Sequence, residues 1–195
     1  MKKFLYLLVL IFPLFTSVNA KNLTVLEVLA KNEDLSVFYK YLMDNGLDKI
    51  LTKKMPWDWT IFAPNNNAFK NFEKVENSLL SDNFLTKNLL MDHILAGRVS
   101  SENIGDSTIT DKTVSNKPIQ LYKANELYVK DMVILKEDLS AINGVVHSIG
   151  CIMFIQPSDE DLRVSKKMQK KFPVTSCCMQ KKNEIELWKS RVTMR

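Results

Sequence analysis

The sequence predicts an α+β fold in which most helices precede most strands. Apolar residues recur at helical spacing over residues 21–51 and again over residues 72–92. Short runs rich in Val, Ile and Thr follow over residues 107–141, and an almost wholly apolar run covers residues 143–157. Because strands and helices do not alternate repeatedly, the pattern argues against a doubly wound parallel sheet.

The N-terminus, residues 1–20, has the pattern of a secretory signal peptide. Lysines precede an apolar run over residues 4–15, and a Val-x-Ala sequence ending at Ala20 forms a cleavage site. An uncleaved anchor is the alternative, but Pro13 and the short run disfavour it. We therefore expect an exported protein, in a periplasmic, cell-surface or extracellular location, with a folded domain over residues 21–157.

Basic residues are concentrated in a predicted tail over residues 158–195. Residues 163–195 carry a net charge of +8, and the signal peptide adds +2, so residues 21–162 carry −5 of the total +5. A mildly acidic body does not suit nucleic-acid binding, for which positive charge should line a folded face. We expect no nucleic-acid partner.

The tail itself is predicted to be mobile or weakly helical, because it is rich in lysine and poor in aliphatic residues. We expect the domain to remain folded when residues 163–195 are removed. The tail is a candidate for contact with anionic surfaces, through its paired lysines Lys166, Lys167, Lys170 and Lys171.

The three cysteines, Cys151, Cys177 and Cys178, predict no disulfide framework, because their number is odd and their spacing uneven. Cys151 is expected to be a small buried apolar residue. Cys177 and Cys178 are expected to stay reduced or to pair with other chains, since a bond between neighbours is strained. No histidine or further cysteine lies at metal-ligand spacing, so we expect no metal or other cofactor.

The first helices cover residues 21–51. Asp34 is predicted to cap the second of them, and Asn45 with Gly46 is predicted to end it. A short helical turn follows over residues 47–51. Their apolar faces require a sheet to pack against.

The next segment is predicted to be a strand over residues 57–62, ended by Pro64. The three asparagines of residues 65–67 are predicted to cap a helical turn, because an asparagine side chain accepts hydrogen bonds from free amides at a helix start. A polar binding loop is the alternative interpretation.

The two histidines, His93 and His147, both lie in apolar sequence. His93 follows the helix predicted over residues 72–92, and His147 lies within the apolar run. We expect both to be core residues whose ring nitrogens bond to backbone. A metal or catalytic role is the alternative.

Four short strands with turn-like gaps are predicted in residues 107–141, at residues 108–110, 117–122, 126–129 and 132–135. They form a meander that leads into residues 143–157. This last run begins at the turn dipeptide Asn143-Gly144 and is predicted to be one central strand covered on both faces.

Motifs for catalysis are absent from the sequence. It contains no glycine-rich phosphate loop, no Gly-x-Ser-x-Gly elbow and no His-Glu-x-x-His pair. We therefore predict that the protein is not an enzyme. Two alternatives stay open: an apolar ligand carrier with Trp57 and Trp59 lining a pocket, and a hydrolase that uses His93 or His147.

Two segments resemble the signature segments of the fasciclin-like domain family, and residues 92–97 resemble its Tyr-His segment, with His93 retained. The first signature segment has the motif residues Thr60, Phe62, Ala63, Pro64, Asn67, Ala68 and Phe69. The second has Asn143, Gly144, Val145, Val146, His147 and Ile149.

The resemblance implies a wedge of antiparallel or mixed β-sheet with N-terminal and mid-chain helices packed around it, in which the two signature segments are neighbouring core strands. It also implies a non-enzymatic module for cell adhesion, matrix or host contact, similar to secreted single-domain bacterial members. Asp92 replaces the family's tyrosine and Gly150 its usual acidic residue, so the role of the Tyr-His pair is not carried over. Asp92 becomes a candidate interaction residue, and the partner is expected to be a protein or a surface component.

Overall fold

The computed structural model describes residues 23–75, 86–105, 107, 109–157, 166–167 and 174–178. The predicted signal peptide and most of the predicted tail lie outside these residues, as does the middle of the helix predicted over residues 72–92. The described part is an α+β fold, as predicted, with a mixed sheet and several helices.

The N-terminal helices are α1 (Val25–Lys31), α2 (Ser36–Asp44) and α3 (Asp48–Leu51). Thr24 begins α1 with a capping box, in which its hydroxyl accepts from the Glu27 amide and its own amide donates to the Glu27 carboxylate. Gly46, with φ of +67°, follows α2 in the left-handed conformation typical of a helix end. Asp34 is not the cap that the sequence predicts; it lies in a 3₁₀ turn capped by Asn32.

Two helices follow the first strand: α4 (Asn66–Val75) and α5 (Lys87–Met91). The main sheet has seven strands in the described part of the chain, in the order β2-β1-β7-β6-β5-β4-β3. These strands are β1 (Trp59–Pro64), β2 (Ile94–Ala96), β3 (Ile109–Lys112), β4 (Pro118–Lys123), β5 (Leu127–Val129), β6 (Met132–Ala141) and β7 (Gly144–Ile149). A bridge between Leu95 and Thr113 brings the two edges together, so the sheet is nearly closed.

The centre of the sheet is the parallel pair β1–β7, which contains the two signature segments. Phe62 lies opposite His147, and every residue of both strands is buried. The other pairings in this sheet are antiparallel. The prediction that the signature segments are neighbouring core strands is therefore confirmed.

The apolar run over residues 143–157 forms two strands, so the prediction of one is wrong. β7 ends at Ile149, opposite Pro64, where β1 also ends. The chain then turns and forms β8 (Met153–Pro157), which pairs with β9 (Val174–Cys178) in a second sheet. A continuous apolar run cannot distinguish one buried strand from two, because it has no periodicity that marks the break.

The strand β9 lies inside the predicted tail. Its five residues pair with β8, so the prediction of a mobile or weakly helical segment is wrong for residues 174–178. Its partner strand β8 lies well before it in the sequence.

A disulfide joins Cys151 to Cys178, so the predictions of a free buried Cys151 and an unpaired Cys178 are wrong. Pairing of β8 with β9 places Met153 opposite Cys178 and brings the Cα atoms of the two cysteines within 5.3 Å. That proximity depends on the strand pairing, which the spacing of the cysteines does not reveal.

Two clusters of buried apolar residues lie against β1 and β7. The helical core includes residues of α1, α2 and α5 together with Ile61 and Val146. The meander core includes residues of β4, β5 and β8 together with Phe62 and Ile149, and Cys151 and Cys178 pack against it. Since neighbouring residues of β1 and β7 belong to different clusters, the signature strands separate the two cores.

Candidate functional site

The first signature segment holds β1 to the chain that follows β2. The hydroxyl of Thr60 donates to the Gly97 carbonyl oxygen at 2.6 Å and accepts from the Val99 amide at 2.9 Å. Thr60 is buried, and so are Phe62, Ala63 and Pro64 after it. These side chains therefore build the core and do not reach a partner.

The asparagines after β1 organise two helices. Asn65 accepts from the Ala68 amide at 2.9 Å, which caps the start of α4 as predicted. Asn66 accepts from the Val37 amide at 3.1 Å, which fixes the first turn of α2. Asn67 is exposed, whereas Ala68 and Phe69 are buried.

The second signature segment begins with a side chain that ties two helices to the turn before β7. The Asn143 Oδ1 atom accepts from the Val25 amide at 2.8 Å, and its Nδ2 atom donates to the Leu51 carbonyl at 3.0 Å. Both α1 and α3 are therefore anchored by one residue.

Gly144 lies where no side chain fits. A Cβ atom there would be 2.2 Å from the Trp59 carbonyl oxygen and 2.8 Å from the Val25 side chain. Val145, Val146 and Ile149 are buried in the strand that follows. Gly144 is required by the close approach of β1.

His147 joins two loops through its ring. Its Nδ1 atom accepts from the Asp138 amide at 3.3 Å, so the proton lies on Nε2, which donates to the Val99 carbonyl at 2.8 Å. The ring stacks on Phe62 with 5.5 Å between centroids. Burial lowers the pKa of His147 below its ordinary value, although the bond to Val99 and the carboxylates of Asp138 and Glu137 oppose the shift.

His93 also bonds to backbone groups through both ring nitrogens, with the donor and acceptor nitrogens exchanged relative to His147. Its Nε2 atom accepts from the Met153 amide at 2.8 Å, so Nδ1 carries the proton and donates to the Leu89 carbonyl at 3.0 Å. The ring contacts Phe38, with 5.5 Å between centroids. Burial lowers the pKa of His93 to about 4. The prediction of two core histidines bonded to backbone is confirmed.

Asp92 is buried, with 0% of its surface exposed, so its prediction as an interaction residue is wrong. Its carboxylate accepts from Lys117 Nζ at 2.6 Å and from the Ser115 hydroxyl. Burial raises the pKa of Asp92, and the nearby Lys117 ammonium opposes this shift. The ion pair ties the end of α5 to the connection between β3 and β4. Lys117 lies 25 residues away, and no local pattern links it to Asp92.

The remaining candidates are the tail lysines and the two tryptophans. Lys166 and Lys167 are exposed and helical, whereas Lys170 and Lys171 lie outside the described residues.

Trp59 packs in the helical core, while Trp57 remains 42% exposed and its ring contacts the Trp59 ring edge-on. The two rings therefore contact each other, with one in the core and the other at the surface.

Several residues that organise the signature segments were not predicted. Asp138 has a left-handed φ of +55°, and its carboxylate accepts from the amide and hydroxyl of Ser101. An aspartate tolerates this conformation, but its sequence neighbours do not mark it as a turn. Val99 bonds to Thr60 and His147 through its backbone amide and carbonyl, so its side-chain type could not have identified it.

Within the described ranges, no cluster of three or more His, Cys, Asp or Glu side chains is placed to hold a metal ion. The same part of the chain has no helix long and apolar enough to cross a membrane.

Comparison with known proteins relates this arrangement to one family. A solved FAS1 domain pair from the insect cell adhesion molecule Fasciclin I matches with a TM-score of 0.59 and 16% identity. The match covers 69% of this chain and 51% of that structure, so this chain spans about half its length. No curated protein matches the sequence. The family model for the Fasciclin domain matches residues 33–155, which include both signature segments. The chain therefore belongs to the fasciclin domain family.

Proposed function

We propose that the protein is an exported, non-enzymatic adhesion or interaction module that binds a protein or cell-surface partner through its outer surface. The observation that carries this proposal is the placement of the signature residues. Both histidine rings are buried and hold backbone groups through both nitrogens. The function is therefore assigned to exposed residues outside the signature strands.

The same observation argues against the hydrolase alternative. A general base must come within hydrogen-bond reach of the proton that it takes from a substrate or nucleophile. The acceptor nitrogens of His93 and His147 are instead occupied by the amides of Met153 and Asp138. Asp92, the adjacent carboxylate, is paired with Lys117 and equally buried.

The family supports the choice of adhesion. A structural neighbour is named as a cell adhesion molecule, and the two chains share a fold. Fold alone does not determine function, so this likeness raises the expectation without identifying a partner. The predicted export signal agrees with a role outside the cytoplasm.

A crosslinking pull-down tests the proposal. The chain over residues 21–195 would be incubated with intact cells or envelope from its source and with candidate host cells, then crosslinked and captured. We expect saturable binding to a surface component. Absence of saturable binding to either surface would contradict the proposal.

A tail deletion locates the binding surface in the same experiment. The deletion must begin after Cys178, because removing residues 163–195 removes β9 and the disulfide. Retained binding without residues 179–195 would assign the contact to the rest of the chain. Lost binding would assign it to the deleted residues.

A further inference from the structure

One end of the main sheet carries an exposed aromatic and an exposed aliphatic side chain. Trp57 is 42% exposed and Ile142 is 56% exposed. Trp57 precedes β1, and Ile142 lies in the turn between β6 and β7. Since β1 and β7 run parallel from this end, the two residues lie where both strands begin. We call this end the tryptophan end.

Hydrogen bonds hold the loops of the tryptophan end together. The Trp59 amide donates to the Asn143 carbonyl at 2.9 Å, which joins the start of β1 to the residue after Ile142. The Trp57 ring packs edge-on against the Trp59 ring, with 6.1 Å between centroids. The exposed apolar groups are therefore presented on an anchored surface.

Two lysines extend this surface. Lys53 and Lys54 are exposed and lie in the loop between α3 and β1. The Leu51 carbonyl, at the end of α3, accepts from Asn143 Nδ2 at 3.0 Å, so this loop starts beside the same turn. Among the described residues, neither lysine makes an ion pair.

Two carboxylates near this end have hydrogen-bond partners. Asp58 accepts from Arg98 at 2.8 Å, and Arg98 also donates to the Ala141 carbonyl at 2.8 Å. Glu27 is held by the amide and hydroxyl of Thr24. Lys53 and Lys54 add two exposed positive charges to this surface.

We propose that the tryptophan end docks on an anionic phospholipid surface. Tryptophan is favoured at the level of lipid headgroups, where its ring is partly apolar and its N–H can hydrogen-bond. Lysines near such a surface each contribute about 1 kcal/mol of attraction to anionic lipid. Protein–protein interfaces, by contrast, are depleted in lysine, so the combination favours lipid over a protein partner. This inference goes beyond the proposed function by naming a second class of partner.

Vesicle co-sedimentation tests the charge contribution. The chain over residues 21–195, which contains all of the described fold, would be mixed with phosphatidylcholine vesicles with and without phosphatidylglycerol. We expect binding to the anionic vesicles that weakens as salt is added. The double variant K53Q/K54Q should bind them about 10- to 30-fold more weakly, because two attractive charges are lost.

The matched control for charge is K166Q/K167Q, which removes an exposed lysine pair from the tail. It should bind anionic vesicles more tightly than K53Q/K54Q. Because the sequence also makes these tail lysines candidates for contact with anionic surfaces, an equal loss in both variants would show that binding follows net charge or the tail, and it would overturn the proposed surface.

The apolar contribution is tested with Trp57→Ala, which should weaken vesicle binding at constant net charge. Leu135→Ala is its control, because Leu135 is 53% exposed but lies near Ile149, at the opposite end of β7. We expect Leu135→Ala to bind as the parent does. Circular dichroism and thermal unfolding would establish that all variants are folded.

Cell binding distinguishes this inference from the proposed function. If the parent chain fails to bind anionic vesicles, the lipid proposal is overturned, whatever happens on cells. Saturable cell binding that is lost in K53Q/K54Q would then indicate a protein partner at the tryptophan end. The proposed function would survive that result, whereas absence of both kinds of binding would contradict both proposals.

Discussion

The two cores beside β1 and β7 are fastened in different ways. On the side of the helical core, Asn143 anchors α1 and α3 through hydrogen bonds. On the side of the meander core, the Cys151–Cys178 disulfide fixes β9 to the chain that follows β7. Each core also borders one histidine ring, His93 beside Phe38 and His147 beside Phe62.

The difference shows which restraints belong to the signature segments. Asn143 and Asn66 lie within those segments, and each holds a helix that is distant in sequence. The disulfide uses residues outside them, separated by 27 positions. We infer that signature residues hold both sides, Asn143 and Asn66 on the helical side and His147 on the meander side, and that the meander side has a disulfide in addition.

The largest expected effect is that of Gly144→Ala, which acts where the helical side meets β1. The new Cβ would lie 2.2 Å from a backbone oxygen, so β1 and β7 must move apart. Forced overpacking typically costs about 1–3 kcal/mol and occasionally more; with backbone as the obstacle we expect about 4 kcal/mol or more. Urea unfolding of both proteins measures the loss.

Gly105→Ala is the control for that substitution. No heavy atom lies within 4 Å of the position where its Cβ would be built. We expect a change in unfolding free energy within about 0.5 kcal/mol. A Gly144→Ala protein as stable as Gly105→Ala would show that β1 and β7 tolerate separation and would contradict the expected overpacking.

Removal of the disulfide should have the next largest effect. In the chain-entropy model, a crosslink closing a loop of this length stabilises a domain by about 3–4 kcal/mol. We expect C151S/C178S to lose that amount of unfolding free energy. A thiol reductant should destabilise the parent to the same extent and leave the double variant unchanged. Equal sensitivity of the two proteins would contradict the assigned pairing.

Truncation provides a second measure of the meander side. Deleting residues 163–195 removes β9 and Cys178, so we now expect a large loss of thermal stability where the sequence alone predicts none. Deleting residues 179–195 keeps both and is the matched control. Similar melting temperatures for the two truncations would show that β9 contributes little.

The comparison also explains what the sequence could predict. The α+β class and the core histidines follow from local patterns of apolar residues and turn dipeptides. The pairing of the two signature strands follows only from the resemblance to the fasciclin-like family, because no local pattern links segments so far apart. β9 and the disulfide follow from neither, because they depend on pairing between segments far apart in sequence. Asp92 was misassigned for the same reason, since Lys117 reaches it from another element.

Acid should destabilise the protein through the histidines of both sides. The unfolded chain takes up a proton near pH 6.5, whereas native His93 resists protonation until about pH 4. The free energy of unfolding should therefore fall as pH drops from 6.5 towards 4, by about 2–3 kcal/mol at most. The lowered pKa of His147 also reduces the free energy of unfolding as pH falls. The raised pKa of Asp92 has the opposite effect, because the native carboxylate takes up its proton at a higher pH than the unfolded one.

NMR titration of the two ring Cε1–H signals separates these contributions. We expect both histidines to titrate below pH 6.5. His147 should titrate at the higher pH, because the Asp138 and Glu137 carboxylates favour its charged form. An ordinary pKa for His93 would show that its ring is open to solvent and would remove this source of acid sensitivity.

The smallest expected effect is that of Asn143→Ala, which tests the hydrogen bonds of the helical side. The substitution leaves the Val25 amide and the Leu51 carbonyl without their partner. An unpaired buried polar group costs about 1–3 kcal/mol, but water can reach part of this site, so we expect a total of about 2 kcal/mol. Asn67→Ala is the matched control, because Asn67 is an exposed asparagine of the other signature segment, and its loss should change stability by less than about 0.5 kcal/mol. If Asn143→Ala instead equals its control, the two helices are held by apolar packing alone, and the contrast between a hydrogen-bonded side and a disulfide-bonded side disappears.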